Sequence, residues 1–370
     1  MRQRVPAASL LLVLAAGLAL ALSSPGTFTA GGNASILRGE RTAQWQKSFE
    51  EGMRWRSWAL ALWTAVRYWL FGEGEAGVLI GTDGWLYSNE EFLPVDGSGR
   101  LLDAALDRVA EVRDSLSARG IALVVALVPT KAVVYPQHLG RHRLTPALLA
   151  RYATVRQAMS ERGIVAPDLL SPLREASRLG DVFLRTDTHW TADGAALAAE
   201  ALARAIRVEL DSRGSPRSSY TTLRGEPRER RGDLLTFIPL GPLGGLMGPR
   251  PDMVAAVTTV ADAEADNSGA GLFGTLQIPV ALVGTSYSAS GVWNFDGALK
   301  QALRADVLKV AEEGHGPFVP MQRYIESPAI DDPRPDVVVW EIPERYLGVS
   351  TPLGVSTPLG VAAGVTPSAE

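Results

Sequence analysis

Ile278-Pro279-Val280-Ala281-Leu282-Val283-Gly284-Thr285-Ser286-Tyr287-Ser288 decides the fold of this chain. A continuous apolar run ended by glycine reads as a strand buried on both faces, the form a parallel sheet takes when helices cover it on either side. Ser286 then stands where the strand ends and a loop or helix begins. In open α/β sheets this end of a strand collects ligands and catalytic side chains. Ile121 to Val128 and Asp336 to Ile342 are further runs of the same kind. Leu101 to Arg119 and Leu144 to Arg162 carry apolar residues at helical spacing and stop at Gly120 and Gly163, with Ile164 to Leu169 read as a short strand behind the second. Strand, helix and strand in succession imply parallel pairing, so the expected class is α/β with a mostly parallel sheet.

The second informative stretch is Asp187-Thr188-His189-Trp190. In an extended segment residues i and i+2 project to one side, so Asp187 and His189 share a pocket and the carboxylate fixes the tautomer of the ring. The other ring nitrogen then activates a serine hydroxyl, which is unreactive without a base. Ser286 is the expected nucleophile, His189 the general base and acid, and Asp187 the residue that orients it. The Ser286 amide, Asn294, Lys131, Tyr287 and Trp190 are candidates for oxyanion or substrate contacts. Each residue type also has a plainer use. Asp187 or Thr191 would cap the helix read over Thr191 to Ser212, a serine after strand and glycine is ordinary turn chemistry, and Lys131 suits a solvated loop. A metal site of Asp187, His189 and Asp193 is a third reading, weakened by the lack of a second His or Cys at ligand spacing. Asp233 caps a turn or holds a sugar, and His138, His142 and His315 have no visible partner.

Around these motifs, Val78 to Tyr87 is a hairpin folded at Thr82-Asp83-Gly84, and Gly291 to Arg304 is helical. Arg213 to Thr222 and Gly241 to Arg250 read as loops. Trp45, Trp55, Trp58, Trp63 and Trp69 fall at mostly helical spacing within Thr42 to Leu70, a pattern expected to pack into a core or between domains. Sugar stacking or a membrane surface is the competing use of such tryptophans.

The 370 residues carry a net charge of −4, are 46% hydrophobic and 21% charged, and include no cysteine. Disulfides and thiolate catalysis are excluded, and no basic stripe with interleaved aromatics suggests nucleic acid. Residues 1–25 read as an export signal or signal anchor, with Arg2 and Arg4 before the apolar stretch Ala7 to Leu22. Residues 347–370 repeat Gly-Val-Ser-Thr-Pro-Leu and read as a disordered tail, leaving 40–346 as the folded domain. Export without cysteines fits the periplasm.

Gly81-Thr-Asp-Gly-Trp-Leu-Tyr87, Thr186-Asp-Thr-His-Trp-Thr191, Gly284-Thr-Ser-Tyr-Ser288, Trp293-Asn294-Phe295 and Trp340-Glu-Ile-Pro-Glu-Arg345 together resemble the alginate O-acetyltransferases of the AlgJ and AlgX type, in the same order from about Trp45 to Tyr346. The resemblance implies an SGNH-hydrolase-like three-layer α/β/α domain of permuted order, in which Asp187 and His189 precede Ser286. It implies an acetyl group carried on Ser286 and passed to a hydroxyl of an exported polysaccharide, alginate or alginate-like. It further implies a membrane-bound O-acyltransferase as donor and other export subunits as partners; no cofactor and no metal are expected. Where AlgX-type chains continue into a carbohydrate-binding module, this one has the repeat tail, so the likeness is to the AlgJ kind. Gly-Thr-Ser also replaces the Gly-Asp-Ser of ordinary SGNH esterases. A polysaccharide acetylesterase using the same triad is the alternative reading, and a non-catalytic scaffold of an export complex the second.

Overall fold

The computed structural model describes residues 38–52, 56–262 and 277–349, with the isolated positions 15, 17 and 19. The expected signal or anchor is almost wholly outside the described residues, as is the repeat tail beyond Val349. Among the described residues no helix is long and apolar enough to cross a membrane. The chain divides into two units, Met1–Glu73 with Ile238–Gly248, and Gly74–Phe237 with Pro249–Glu370.

In the first unit, α1 (Glu40–Gly52) and α2 (Arg56–Val66) lead into one π-helical turn, Arg67–Phe71, stopped by Gly72 at φ 58°. Trp58, Trp63 and Trp69, the tryptophans here with described side chains, do not form a core. Ala61, Thr64 and Ala65 are the buried residues of α2, whereas Trp58, Trp63 and Trp69 are 55%, 59% and 65% exposed. The helix turns its small side inward, so the spacing that suggested a packed aromatic face selects an outward one. The side chains of Trp45 and Trp55 lie outside the described set.

The second unit begins with the hairpin β1 (Val78–Ile80) and β2 (Leu86–Ser88), whose turn places Asp83 and Gly84 at φ 56° and 80°. There follow α3 (Arg100–Ala118), β3 (Ala122–Val128), α4 (Pro146–Glu161), α5 (Leu170–Ala176) and α6 (Ala192–Arg213). Next come β4 (Tyr220–Arg230) and β5 (Asp252–Ala261). The unit closes with β6 (Val280–Gly284), α7 (Phe295–Leu303), β7 (Val307–Ala311), α8 (Phe318–Glu326) and β8 (Val337–Pro343).

β3, β8, β6 and β7 lie side by side in that order, parallel throughout. Side-chain alternation sorts each strand between two cores. Val124, Ala126, Val128, Val280, Leu282, Val337 and Val339 pack with Ala198, Leu202 and Ile206 of α6 and Leu299 of α7. Leu123, Val125, Leu127, Ala281, Val283, Val338 and Trp340 pack with Val109 of α3, Val155 of α4 and Met321 of α8. The result is the expected three-layer α/β/α arrangement.

Five local expectations change. Ile164 to Leu169 contributes only a parallel bridge between Val165 and Val124, because Pro167 cannot donate to a ladder. Within the stretch read as the loop Arg213 to Thr222, β4 begins at Tyr220 and pairs antiparallel with β5 as a two-stranded ribbon against α7. Gly241 to Arg250 includes two short helical turns, Gly241–Leu243 and Gly244–Met247. Lys131 starts a buried helical turn, Lys131–Val134, rather than a solvated loop. Leu347 and Val349 are buried, and Val349 bridges Val95, so ordered chain continues past Tyr346.

Candidate active site

Ser286 opens a single helical turn, Ser286–Ala289, immediately after β6, with the Thr285 hydroxyl accepting from the Tyr287 amide as its N-cap. This turn rests on Glu341, a fully buried residue near the C-terminal end of β8. Its carboxylate accepts from the Thr285 amide at 2.7 Å, the Thr285 hydroxyl at 3.0 Å and the Ser288 hydroxyl at 3.1 Å. Gly284 is required by that approach, since a Cβ there would stand 2.5 Å from a Glu341 oxygen and 2.8 Å from its Cβ. Burial pushes the Glu341 carboxyl above the usual range, against the opposing pull of those donors and Arg345.

His189 reaches Ser286 from a loop pinned at both ends. The Leu184 amide donates to His189 O at 3.0 Å and the Thr191 amide to Val182 O at 2.9 Å, and the Thr191 hydroxyl then caps α6. At the tip, Asp252 accepts from the Arg185 and Thr186 amides at 2.8 and 3.0 Å. Lys131 donates from inside to Leu184 O at 3.1 Å and Asp187 O at 2.7 Å. Gly232 passes so close that a Cβ would lie 2.1 Å from Thr186 O, which lets the Asp233 amide reach Asp187 Oδ2 at 3.1 Å.

The three side chains form a continuous line. Asp187 Oδ1 is 2.6 Å from His189 Nδ1, and His189 Nε2 is 2.7 Å from Ser286 Oγ. Burial works to raise the Asp187 carboxyl, but the hydrogen bond and charge of His189 with two backbone amides outweigh it and hold the group below the usual carboxylate range. The imidazole stacks on Trp293 at 5.1 Å and 18° and meets Tyr287 at 4.7 Å. Such a line can move a proton from hydroxyl to imidazole while the carboxylate stabilises the imidazolium.

The other sequence candidates take up supporting positions. Trp190 is buried and donates to Tyr287 O at 3.2 Å; Tyr287 is buried and donates to Thr188 O at 2.9 Å. Lys131 is too deep to meet a ligand and instead holds the histidine loop. Asn294 is not placed as an oxyanion donor: its amide nitrogen donates to Thr259 Oγ1 at 2.9 Å. Asp193 pairs with Arg224, away from His189. Asp233 stands in the place the metal reading gave to Asp193, its ligand atom within 4.8 Å of those of Asp187 and His189. Its Oδ1 accepts from the Thr188 amide at 2.8 Å and its Oδ2 is 3.8 Å from Nδ1, so it braces the loop beside the Asp187 hydrogen bond. His138 faces Asp83 at 3.1 Å, His142 faces Ile80 O at 3.2 Å, and His315 faces Glu313 O at 2.9 Å.

A cleft of about 230 Å³ opens over Ser286 and His189, walled by Asn89, Glu90, Asp233, Phe237, Arg345 and Tyr346. Arg345 is engaged there, with Nε on Glu90 at 3.0 Å and Nη1 on the Tyr287 hydroxyl at 3.1 Å. Glu341, Glu90 and Asn89 were not singled out as site residues from the sequence. Glu341 carried a signal: it is the one charged side chain inside the apolar run Val337 to Ile342.

Residues 78–344 match the family described as "SGNH hydrolase-like domain, acetyltransferase AlgX". The chain is 46% identical over 293 residues, 79% of its own length and 76% of the relative's, to a probable alginate O-acetylase AlgJ of Pseudomonas putida. It is 42% identical over 337 residues to the corresponding Pseudomonas aeruginosa protein, covering 90% of this chain and 85% of that one. The solved O-acetyltransferase domain of Pseudomonas putida AlgJ superposes with a TM-score of 0.66 at 42% identity, over 76% of this chain and 96% of that domain.

Proposed function

This chain belongs to the SGNH hydrolase-like acetyltransferase family of AlgX and AlgJ, and we propose that it transfers acetyl groups through Ser286 onto hydroxyls of an exported polysaccharide, alginate or alginate-like. The observation that carries this reading is the unbroken line from Asp187 through His189 to Ser286 Oγ, at 2.6 and 2.7 Å, opening into a cleft. His189 Nε2 takes the Ser286 proton as Oγ adds to the acetyl carbonyl of a donor ester. The tetrahedral adduct collapses, its C–O bond to the donor alcohol breaks, and the imidazolium returns the proton to that leaving oxygen. In the second half an acceptor hydroxyl loses its proton to Nε2 and adds to the acetyl-serine carbonyl. The bond to Oγ breaks and Ser286 is reprotonated. The Ser286 amide, at the first position of its helical turn, is the backbone donor we assign to the oxyanion.

A membrane-bound O-acyltransferase as donor, other export subunits as partners and a periplasmic site of action belong to the same proposal. The relatives' description as alginate acetylases supports polysaccharide-biosynthesis partners and an exported site of action, and the donor rests on the family resemblance alone. The test supplies a chromogenic acetyl ester with and without polyuronate oligomers and follows protein and sugar by mass spectrometry. Acetylated sugar that depends on Ser286 supports the transferase. Ser286-dependent ester cleavage that marks no sugar, with the acceptor range widened to neutral glycans, would instead make the protein an esterase.

A further inference from the structure

Two arginines flank the triad and differ in how their charge is engaged. Arg345 is held by Glu90 and two phenols. Arg230, the last residue of β4, lies over the Trp293 ring at 5.2 Å, and its Nε is buried without a hydrogen-bond acceptor among the described residues. Trp293 in turn stacks on His189 and donates from Nε1 to Ser286 O at 3.2 Å. One indole therefore separates this guanidinium from both the base and the nucleophile.

The carboxylate that would ordinarily neutralise Arg230 is committed elsewhere. Asp252 sits opposite it in the ribbon register, but its oxygens accept from Arg185 and Thr186. Arg224 on the same strand is paired with Asp193. Arg228, two residues before Arg230, projects to the same face of the strand and extends the basic row along the ribbon. The cleft wall, by contrast, presents Glu90 and Asp233. There Glu90 is paired with Arg345 and Asp233 accepts from the Thr188 amide, so the wall offers an acidic sugar no unengaged cation, whereas Arg230 stands beyond Trp293.

We infer that Arg230, with Arg228 behind it, is the subsite that takes a carboxylate of an acidic acceptor chain, so that the ribbon selects uronate-type polymers over neutral ones. Guanidinium suits this role because its planar fork matches a carboxylate and stacks on an aromatic face at the same time. The inference rests on the acetyl-transfer reading for its substrate. A binding measurement keeps the two separable.

In the full chain, binding of polyuronate oligomers and of neutral oligosaccharides is measured by calorimetry for wild type, Arg230→Gln, Arg230→Lys and Arg224→Gln, and transfer kinetics are run with both sugars. Arg230→Gln is expected to lower the preference for uronate over neutral acceptor about 10- to 100-fold, the range of a charge-assisted hydrogen bond. Arg230→Lys should recover part of it, and Arg224→Gln should match wild type. An unchanged preference in Arg230→Gln overturns the subsite, as does an equal fall with both sugars, which would make Arg230 only a support for Trp293. Loss of transfer to every sugar by wild type, with uronate binding still dependent on Arg230, would overturn the transferase reading and leave the subsite standing.

Discussion

The parallel sheet and the β4–β5 ribbon approach the same histidine with opposite chemistry. The C-terminal ends of the sheet strands bring buried groups tied by hydrogen bonds to the segments above them: Glu341 under the nucleophile turn, Lys131 under the histidine loop, and Glu344 accepting through Oε1 from the Thr130 amide at 3.0 Å. The ribbon brings exposed strands and a guanidinium whose buried Nε has no acceptor among the described residues. The difference teaches that the reacting atoms are fixed from the dry side, while the side facing solvent is left to recognise what arrives.

Ser286→Ala is the largest test of that division. It should reduce ester turnover by about 10⁶-fold if Oγ is the nucleophile, followed as chromogen release, and appreciable residual cleavage would break the assignment. Asp187→Asn comes next. It keeps the shape but presents the wrong partner to Nδ1, and a loss of about 10⁴-fold is expected. Both changes should spare uronate binding, which calorimetry can check.

Glu341→Ala sharpens the comparison on stability. Removing the shared acceptor of three buried neutral donors should cost at least about 1–3 kcal/mol in chemical denaturation, whereas Glu341→Gln should cost less. The same pair reports a pH effect. Because burial raises the carboxyl in the folded state, its contribution to stability is fully present below the ordinary glutamate value, near 4.3, and is lost as pH rises toward the folded value. Glu341→Gln should therefore flatten the decline by up to about 1.4 kcal/mol per pH unit in that window. A slope unchanged by the substitution would mean that Glu341 does not titrate there.

Two smaller effects complete the series. Thr191→Ala removes the N-cap of α6 and should cost about 1 kcal/mol, with little change in turnover if the other pins hold the loop. Arg224→Ala breaks an exposed pair with Asp193 on the ribbon and should cost under about 1 kcal/mol. A larger loss would show that the ribbon is as integral to the fold as the sheet.

The same contrast governs what could be read in the sequence. β3, β6 and β8 were legible because strands buried on both faces are written as apolar runs. β4 was missed because Thr222, Arg224, Glu226, Arg228 and Arg230 face water or the site, and its register shifts between Arg224 and Pro227. β7 was missed because Lys309 interrupts five residues otherwise apolar. Within the site, residue types and order were enough to single out Asp187, His189 and Ser286. Lys131 looked like a loop residue because sequence does not reveal that three carbonyl oxygens converge on its ammonium. Asn294 looked available because its partner, Thr259, belongs to the ribbon that went unseen.

The crossed bonds between the histidine loop and the nucleophile turn carry a further implication. Trp190 donates to Tyr287 O and Tyr287 donates to Thr188 O, so each segment holds the residue next to the other's reacting group. The segments are 97 residues apart in the chain, and contacts of such long range are expensive to close early in folding. The aligned triad thus requires this clasp to be shut. Recovered activity after refolding is consequently a gauge of whether the sheet has finished assembling, more demanding than any measure of helix content.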